Sequence, residues 1–218
     1  SGSTCDVPLN EGNNDFTFWA LSSYGDSSEM GTLSAKVDTV SPALGLDIIA
    51  TSGSNGWYVS PATITAIGSD YTSGLSSVFL SVDNGAWISS TTLNEGMYSI
   101  VVQAEDNAGN IANSTTTISV DTTTPTIDVS VNGTTGSNGW YSSSMQVSAT
   151  SNDATSGVAS LESSLDGGVY QAYTSPFSFA DGYHTVQFKA VDRAGNETET
   201  SIQEFYVDTI APAVDLPA

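Results

Sequence analysis

Residues Gly96 to Asn110 read GMYSIVVQAEDNAGN, and residues Gly182 to Asn196 read GYHTVQFKAVDRAGN. In the first stretch Tyr98, Ile100, Val102 and Ala104 alternate with Ser99, Val101, Gln103 and Glu105; in the second, His184, Val186, Phe188 and Ala190 hold the same places. A period of two puts every other side chain on one face, so both stretches read as half-buried strands rather than helices. Each runs into D-x-A-G-N, a composition that ends a strand in a tight turn. A match of this kind within one chain makes internal repetition the first question.

Outward from these stretches, SNGWY occurs at Ser54 to Tyr58 and again 83 residues later at Ser137 to Tyr141. The tripeptide VDT begins at Val37, Val120 and Val207, and Pro42, Pro125 or Pro212 follows each copy. The matches keep one order and define complete repeats at 43–125 and 126–212. Asn10-Glu11-Gly12 aligns with Asn94-Glu95-Gly96, so residues 1–42 read as the C-terminal strands of a truncated repeat, and 213–218 as the start of a following one. On that reading the sequence is a window on a longer tandem array.

Within a repeat, Val78, Leu80 and Val82 alternate until Asp83-Asn84-Gly85, a hairpin signal, and Leu161 to Asp166-Gly167-Gly168 repeats the pattern. Turn clusters recur every 8 to 12 residues. About seven short strands per repeat and no helical segment predict an all-β chain of tandem immunoglobulin-like, seven-strand β-sandwiches.

Four marks stand in order: NGWY, S-G-[LV] after an Asp (Asp70 to Leu75, Asp153 to Val158), D-x-A-G-N, and V-D-T-x-x-P. Together they resemble the immunoglobulin-like repeats of bacterial surface proteins, found in large adhesins, in surface stalks and as accessory modules of secreted hydrolases. The resemblance covers nearly the whole chain. It implies fibronectin III-like sandwiches that act mostly as spacers.

Charge narrows the function classes. The chain carries 24 acidic residues against three Lys and Arg, a net charge of −21. Such a field repels phosphate backbones and anionic lipid, which excludes nucleic acid and a polybasic membrane anchor as partners. No apolar run approaches the roughly 18 to 20 residues that a membrane helix needs. A single cysteine, Cys5, leaves no intrachain disulfide framework. Abundant Ser and Thr with scarce Lys fit a secreted or cell-surface location.

Catalysis finds no constellation. The one histidine, His184, is replaced by Tyr98 in the other repeat, where these sandwiches place a corner-forming tyrosine, so both residues read as structural. No nucleophile elbow, phosphate-binding loop or zinc-binding helix occurs, and the chain reads as non-catalytic.

Calcium is the sharper expectation. Repeat 43–125 holds seven acids and no Lys or Arg. In a sandwich the loops after the second, fourth and sixth strands share the pole at which the chain enters, which predicts Asp70 and Asp106 near Asp38, and Asp153 and Asp192 near Asp121. These six aspartates supply the hard oxygen donors that Ca²⁺ takes. The alternative is that Asp106 and Asp192 cap tight turns and nothing more. Ser22 stands at their place in the truncated repeat. Trp19, Trp57 and Trp140 are the candidates for stacking on a saccharide.

The function these features support is an extracellular spacer, stalk or filament shaft that presents other parts away from a cell surface. Two alternatives stand beside it: a carbohydrate-binding or accessory module of a secreted hydrolase, and a self-assembling filament subunit completed by strand addition. The corresponding partners are neighbouring repeats or head-to-tail copies, and cell-surface glycans.

Overall fold

The alternating pattern is realised as strands along the whole of the computed structural model, which describes residues 6–214 and contains no helix among them. Cys5 and residues 215–218 lie outside the described residues. The leading segment carries β1 (Gly12–Phe18) and β2 (Gly31–Val37). The next repeat carries β3 (Ala43–Ile49), β4 (Trp57–Tyr58), β5 (Ala62–Ser69), β6 (Leu75–Val82), β7 (Ser90–Leu93), β8 (Gly96–Asp106) and β9 (Ile111–Val120). The last carries β10 (Thr126–Asn132), β11 (Trp140–Tyr141), β12 (Met145–Asn152), β13 (Val158–Leu165), β14 (Gln171–Ala172), β15 (Phe177–Phe179), β16 (Gly182–Asp192), β17 (Glu197–Glu199) and β18 (Gln203–Val207).

The chain forms two compact units. One joins the described residues up to Ile49 with Thr63–Thr92 and Tyr98–Ile118; the other joins Ala50–Ala62 and Leu93–Met97 with the chain from Ser119 onward.

In the first unit β1 and β2 pair antiparallel from Gly12↔Val37 to Phe18↔Gly31. The Phe18 ring lies over Gly31, where a Cβ would stand 2.5 Å from it. A two-stranded sheet cannot cover its own face, and Phe18 and Leu33 are each 58% exposed. The matching face of β8 is closed, with Ile100, Val102 and Ala104 all buried. β3 pairs antiparallel with β5, and β6 with β8. The β6 hairpin closes through Asp83 and Asn84, both at positive φ (50° and 59°), as a two-residue turn between twisted strands requires.

In the second unit the sheet β10-β12-β15 and the sheet β11-β18-β16-β13-β14 enclose one core. Met145, Val147 and Ala149 of β12 meet Val186 and Phe188 of β16 and Phe205 and Val207 of β18. Phe188 anchors this core, edge-on to Tyr173 at 5.4 Å and stacked with Phe177 at 6.4 Å. Here the long β9 has a two-piece counterpart, β17 and β18. The break follows Thr200, whose N–H donates to Phe188 O at 2.9 Å and whose Oγ1 accepts from Phe188 N at 3.0 Å.

The His184 ring stacks on Phe179 at 4.7 Å, and its Nε2 lies 3.1 Å from Ala180 O, four residues upstream. Asn14, at the equivalent place, donates from Nδ2 to Asn10 O at 2.7 Å, again four residues upstream. Tyr98 is half-buried at that same position.

Replacing Phe188, which has no exposed surface, by Ala should destabilise the second sandwich by about 3–5 kcal/mol, read as a lower denaturant midpoint in an equilibrium titration.

Candidate metal centre

Two sets of three aspartates converge. Carboxylate oxygens of Asp38, Asp70 and Asp106 lie within 4.8 Å of one another, and so do those of Asp121, Asp153 and Asp192. Asp106, Asp121 and Asp192 are buried; Asp38, Asp70 and Asp153 are half-buried.

Local backbone chemistry builds each set in the same way. Asp70 Oδ1 accepts N–H bonds from Ser73 (2.9 Å) and Gly74 (2.8 Å), and Asp153 Oδ1 accepts them from Ser156 (3.0 Å) and Gly157 (2.7 Å). This use of the S-G pair draws the loop tight around the acid. At the D-x-A-G-N turn, Asp106 Oδ1 accepts from Ala108 N and Asn110 N, and Asp192 Oδ1 from Gly195 N and Asn196 N, all at 2.7–2.9 Å. The turn asparagine then reaches the incoming strand: Asn110 Nδ2 donates to Asp38 O at 3.1 Å, and Asn196 Nδ2 to Asp121 O at 3.0 Å. Ser73 N also donates to Asp38 Oδ2 (3.0 Å), and Ser156 N to Asp121 Oδ2 (3.1 Å).

The donor set fits a hard divalent cation. All ligands are carboxylate oxygens, and a spread of up to 4.8 Å is what two oxygens on opposite sides of one ion, each about 2.4 Å from it, would span. At Asp70 and Asp153 capping and ligation are compatible, because capping occupies Oδ1 while Oδ2 accepts no hydrogen bond among the described residues; at Asp38, Asp106, Asp121 and Asp192 both oxygens accept one, so a cation would share them. Arg193 neighbours Asp192 in sequence but forms no ion pair among the described residues. The capping role itself does not need a charge. Ser22 Oγ accepts from Tyr24 N (3.2 Å) and Asp26 N (3.1 Å), the same i+2 and i+4 pattern that Asp106 shows.

A clamp outside the four sequence marks closes each strand end. Glu95 Oε2 accepts from Thr122 N (2.8 Å) and Oγ1 (2.9 Å), one residue past Asp121. Asp181 accepts likewise from Thr209 N and Oγ1, and Glu11 from Thr39 N and Oγ1. The signal was in the sequence as an acid before Gly12, Gly96 and Gly182 paired with the Thr of every VDT.

These contacts move the acids apart electrostatically. Burial raises the Glu95 carboxyl, but hydrogen bonds from Thr155 and Thr122 outweigh it and lower the pKa to about 2. Asp121 goes the other way, raised by burial and then by its neighbour Glu95. At Asp106 burial also works upward, yet the Asn110 side chain and the turn N–H groups leave it lowered.

The candidate tryptophans differ in exposure. Trp57 is half-buried in β4, Trp140 packs at 5.5 Å on Tyr206 with 42% of its surface exposed, and Trp19 follows β1 with 55% exposed. Trp87, 47% exposed, is a fourth such ring.

Compared with known families, residues 50–122 and 124–209 match the model described as a bacterial Ig-like domain. Among solved structures, the chain is similar to the fibronectin(III)-like modules of Clostridium thermocellum CbhA, at 15% identity and a TM-score of 0.36 over 80% of this chain and 100% of that one. It is similar to a tetra-tandem repeat in the extending region of a large adhesion protein, at 15% identity and a TM-score of 0.32 over 92% of this chain and 58% of that one. It is also similar to a Ca²⁺-stabilised adhesin with which an Antarctic bacterium binds ice, at 18% identity and a TM-score of 0.33 over 90% of this chain and 57% of that one. The chain thus spans somewhat over half of each of the two adhesin structures. No curated protein matches it. No helix among the described residues is long and apolar enough to cross a membrane.

The lowered Glu95 pKa sets a pH dependence. Its contribution to stability is fully present above the ordinary value of 4.5 and is lost as pH falls from there through about 2. Glu95→Gln should cost about 1–2 kcal/mol at pH 7 and flatten the acid limb of a plot of urea midpoint against pH.

Proposed function

Because the chain belongs to the bacterial Ig-like domain family, we propose that it is a non-catalytic extracellular spacer or stalk whose strand-to-strand junctions are stiffened by Ca²⁺. The observation that carries this reading is the burial of Asp121. This residue stands where β9 leaves one repeat and β10 enters the next, and none of its surface is exposed. Its carbonyl is held by Asn196 and its carboxylate by Ser156. A junction tied to the following sandwich at both backbone and side chain transmits force and orientation. The same tie at Asp38 makes it a repeated element, so reach grows with the number of repeats. On this reading the sequence limits 43–125 and 126–212 are the building blocks.

Calcium would be held by Asp38, Asp70 and Asp106 at one centre and by Asp121, Asp153 and Asp192 at the other. When bound, the ion supplies positive charge among three carboxylates that otherwise repel one another. This chain's own part is to orient them: the S-G loop aims Asp70 and Asp153, and the D-x-A-G-N turn aims Asp106 and Asp192. That Ser22 caps the same turn without a charge supports a role for the aspartates beyond capping.

An ion that binds only the folded junction stabilises it by about 2.7 kcal/mol when its free concentration is a hundred times the dissociation constant. The full chain should therefore melt at higher temperature in millimolar Ca²⁺ than in chelator, and Asp106→Asn with Asp192→Asn should remove that difference. A melting temperature and a scattering maximum dimension that ignore Ca²⁺ in the unaltered chain would reduce the six aspartates to turn caps.

A further inference from the structure

The second compact unit contains a contact between two motifs of different repeats. Ser54 N–H donates to Ala194 O at 2.7 Å, and Asn55 Nδ2 donates to Arg193 O at 2.8 Å. The SNG loop thus reads the carbonyls of a D-x-A-G-N turn. The fit is close: a Cβ on Gly53 would stand 2.3 Å from Ala194 O, and one on Gly195 would stand 3.0 Å from Ser54 Oγ. Ala194 is fully buried there. Beyond the loop, Trp57 and Tyr58 run parallel to Ser119 and Val120.

The chain holds a second copy of each half, and among the described residues neither is covered. Residues Gly136 to Gly139 are exposed, and Asn138 at φ 57° keeps the conformation of Asn55 at φ 52°. Asn107, Ala108 and Gly109 are likewise exposed, and a Cβ on Gly109 would meet nothing within 4 Å. Beside that turn lies a cleft of about 810 Å³, lined among others by Gly12, Asn13, Lys36, Val37, Asn107 and Ala108. Lys36 and Val37 are the repeat equivalents of Ser119 and Val120, the edge along which β4 runs. The cleft therefore offers counterparts of the two features that the docked loop uses, a pairing edge and an exposed D-x-A-G-N turn.

We propose that this cleft binds the Gly136–Tyr141 segment of a second copy of the chain. In its own repeat that segment is held by the two-residue strand β11, paired with Tyr206 and Val207. Seating it in the cleft exchanges this short pairing for its counterpart along Lys36 and Val37 and adds the loop-to-turn contacts. The two surfaces differ, so the contact is heterologous and can propagate from copy to copy. Each copy carries a net charge of −21, so association should strengthen as salt screens that repulsion. None of this rests on the calcium reading.

The test is sedimentation velocity of the full chain in chelator, over a concentration series at low and high salt. The expected result is association that rises with concentration and salt, and that an excess of the synthetic peptide TTGSNGWYS (Thr134–Ser142) reverses. Gly136→Ala should abolish association without lowering the melting temperature, because within its own repeat the added Cβ meets Trp140 O no closer than 3.4 Å. A chain that stays monomeric under all these conditions overturns the proposal even if the peptide binds. Association that ignores both the peptide and Gly136→Ala overturns it as well.

Discussion

Taking an aspartate out of water where one sandwich hands the chain to the next costs several kcal/mol unless hydrogen bonds or a cation replace the lost hydration. Asp121 meets that condition with N–H groups from Thr123 and Ser156. Ser156 is in position because Asp153 has drawn its loop tight, and Asn196 secures the Asp121 carbonyl because Asp192 has shaped the turn. The S-G-[LV] and D-x-A-G-N marks thus answer to one buried carboxylate. Glu95, bonded one residue further on, adds a second negative charge and opposes the ionisation of Asp121.

The same logic at Asp38 explains why the chain can be read as copies of one device. Each copy comprises an acid-to-Thr clamp that closes the strand pair, an Asp that caps the loop and an Asn that reaches back to the incoming strand. Where the chain departs from the device, the departures are informative. Ser22 keeps the cap and drops the charge, and Asn14 keeps the corner contact without a ring. Backbone geometry is therefore the stricter requirement at these places, and side-chain charge is retained only where three acids meet.

The two-stranded sheet of β1 and β2 shows what the rest of a sandwich contributes. Its alternation is as regular as that of β8, yet Phe18 and Leu33 remain open while Ile100 and Val102 are buried. A period of two aims side chains at a core; only a second sheet makes one.

Much of the architecture was legible in the amino-acid order because its causes are local. Alternation at Tyr98 to Ala104 and at His184 to Ala190, the Asp-Asn-Gly hairpin and the spacing of SNGWY, D-x-A-G-N and VDT depend on side-chain direction and backbone preference within a few residues. They are enough for strands, repeats and an all-β class. The approach of Asp70 to Asp106 follows from loop order in a sandwich, but which oxygen caps and which is left to the centre depends on N–H groups placed by the fold. The break at Thr200 and the seat of Ser54 and Asn55 on the Arg193-Ala194 turn were decided only in three dimensions. Their partners lie 12 to 140 residues apart, where no local preference acts and the packing of strands determines which groups meet.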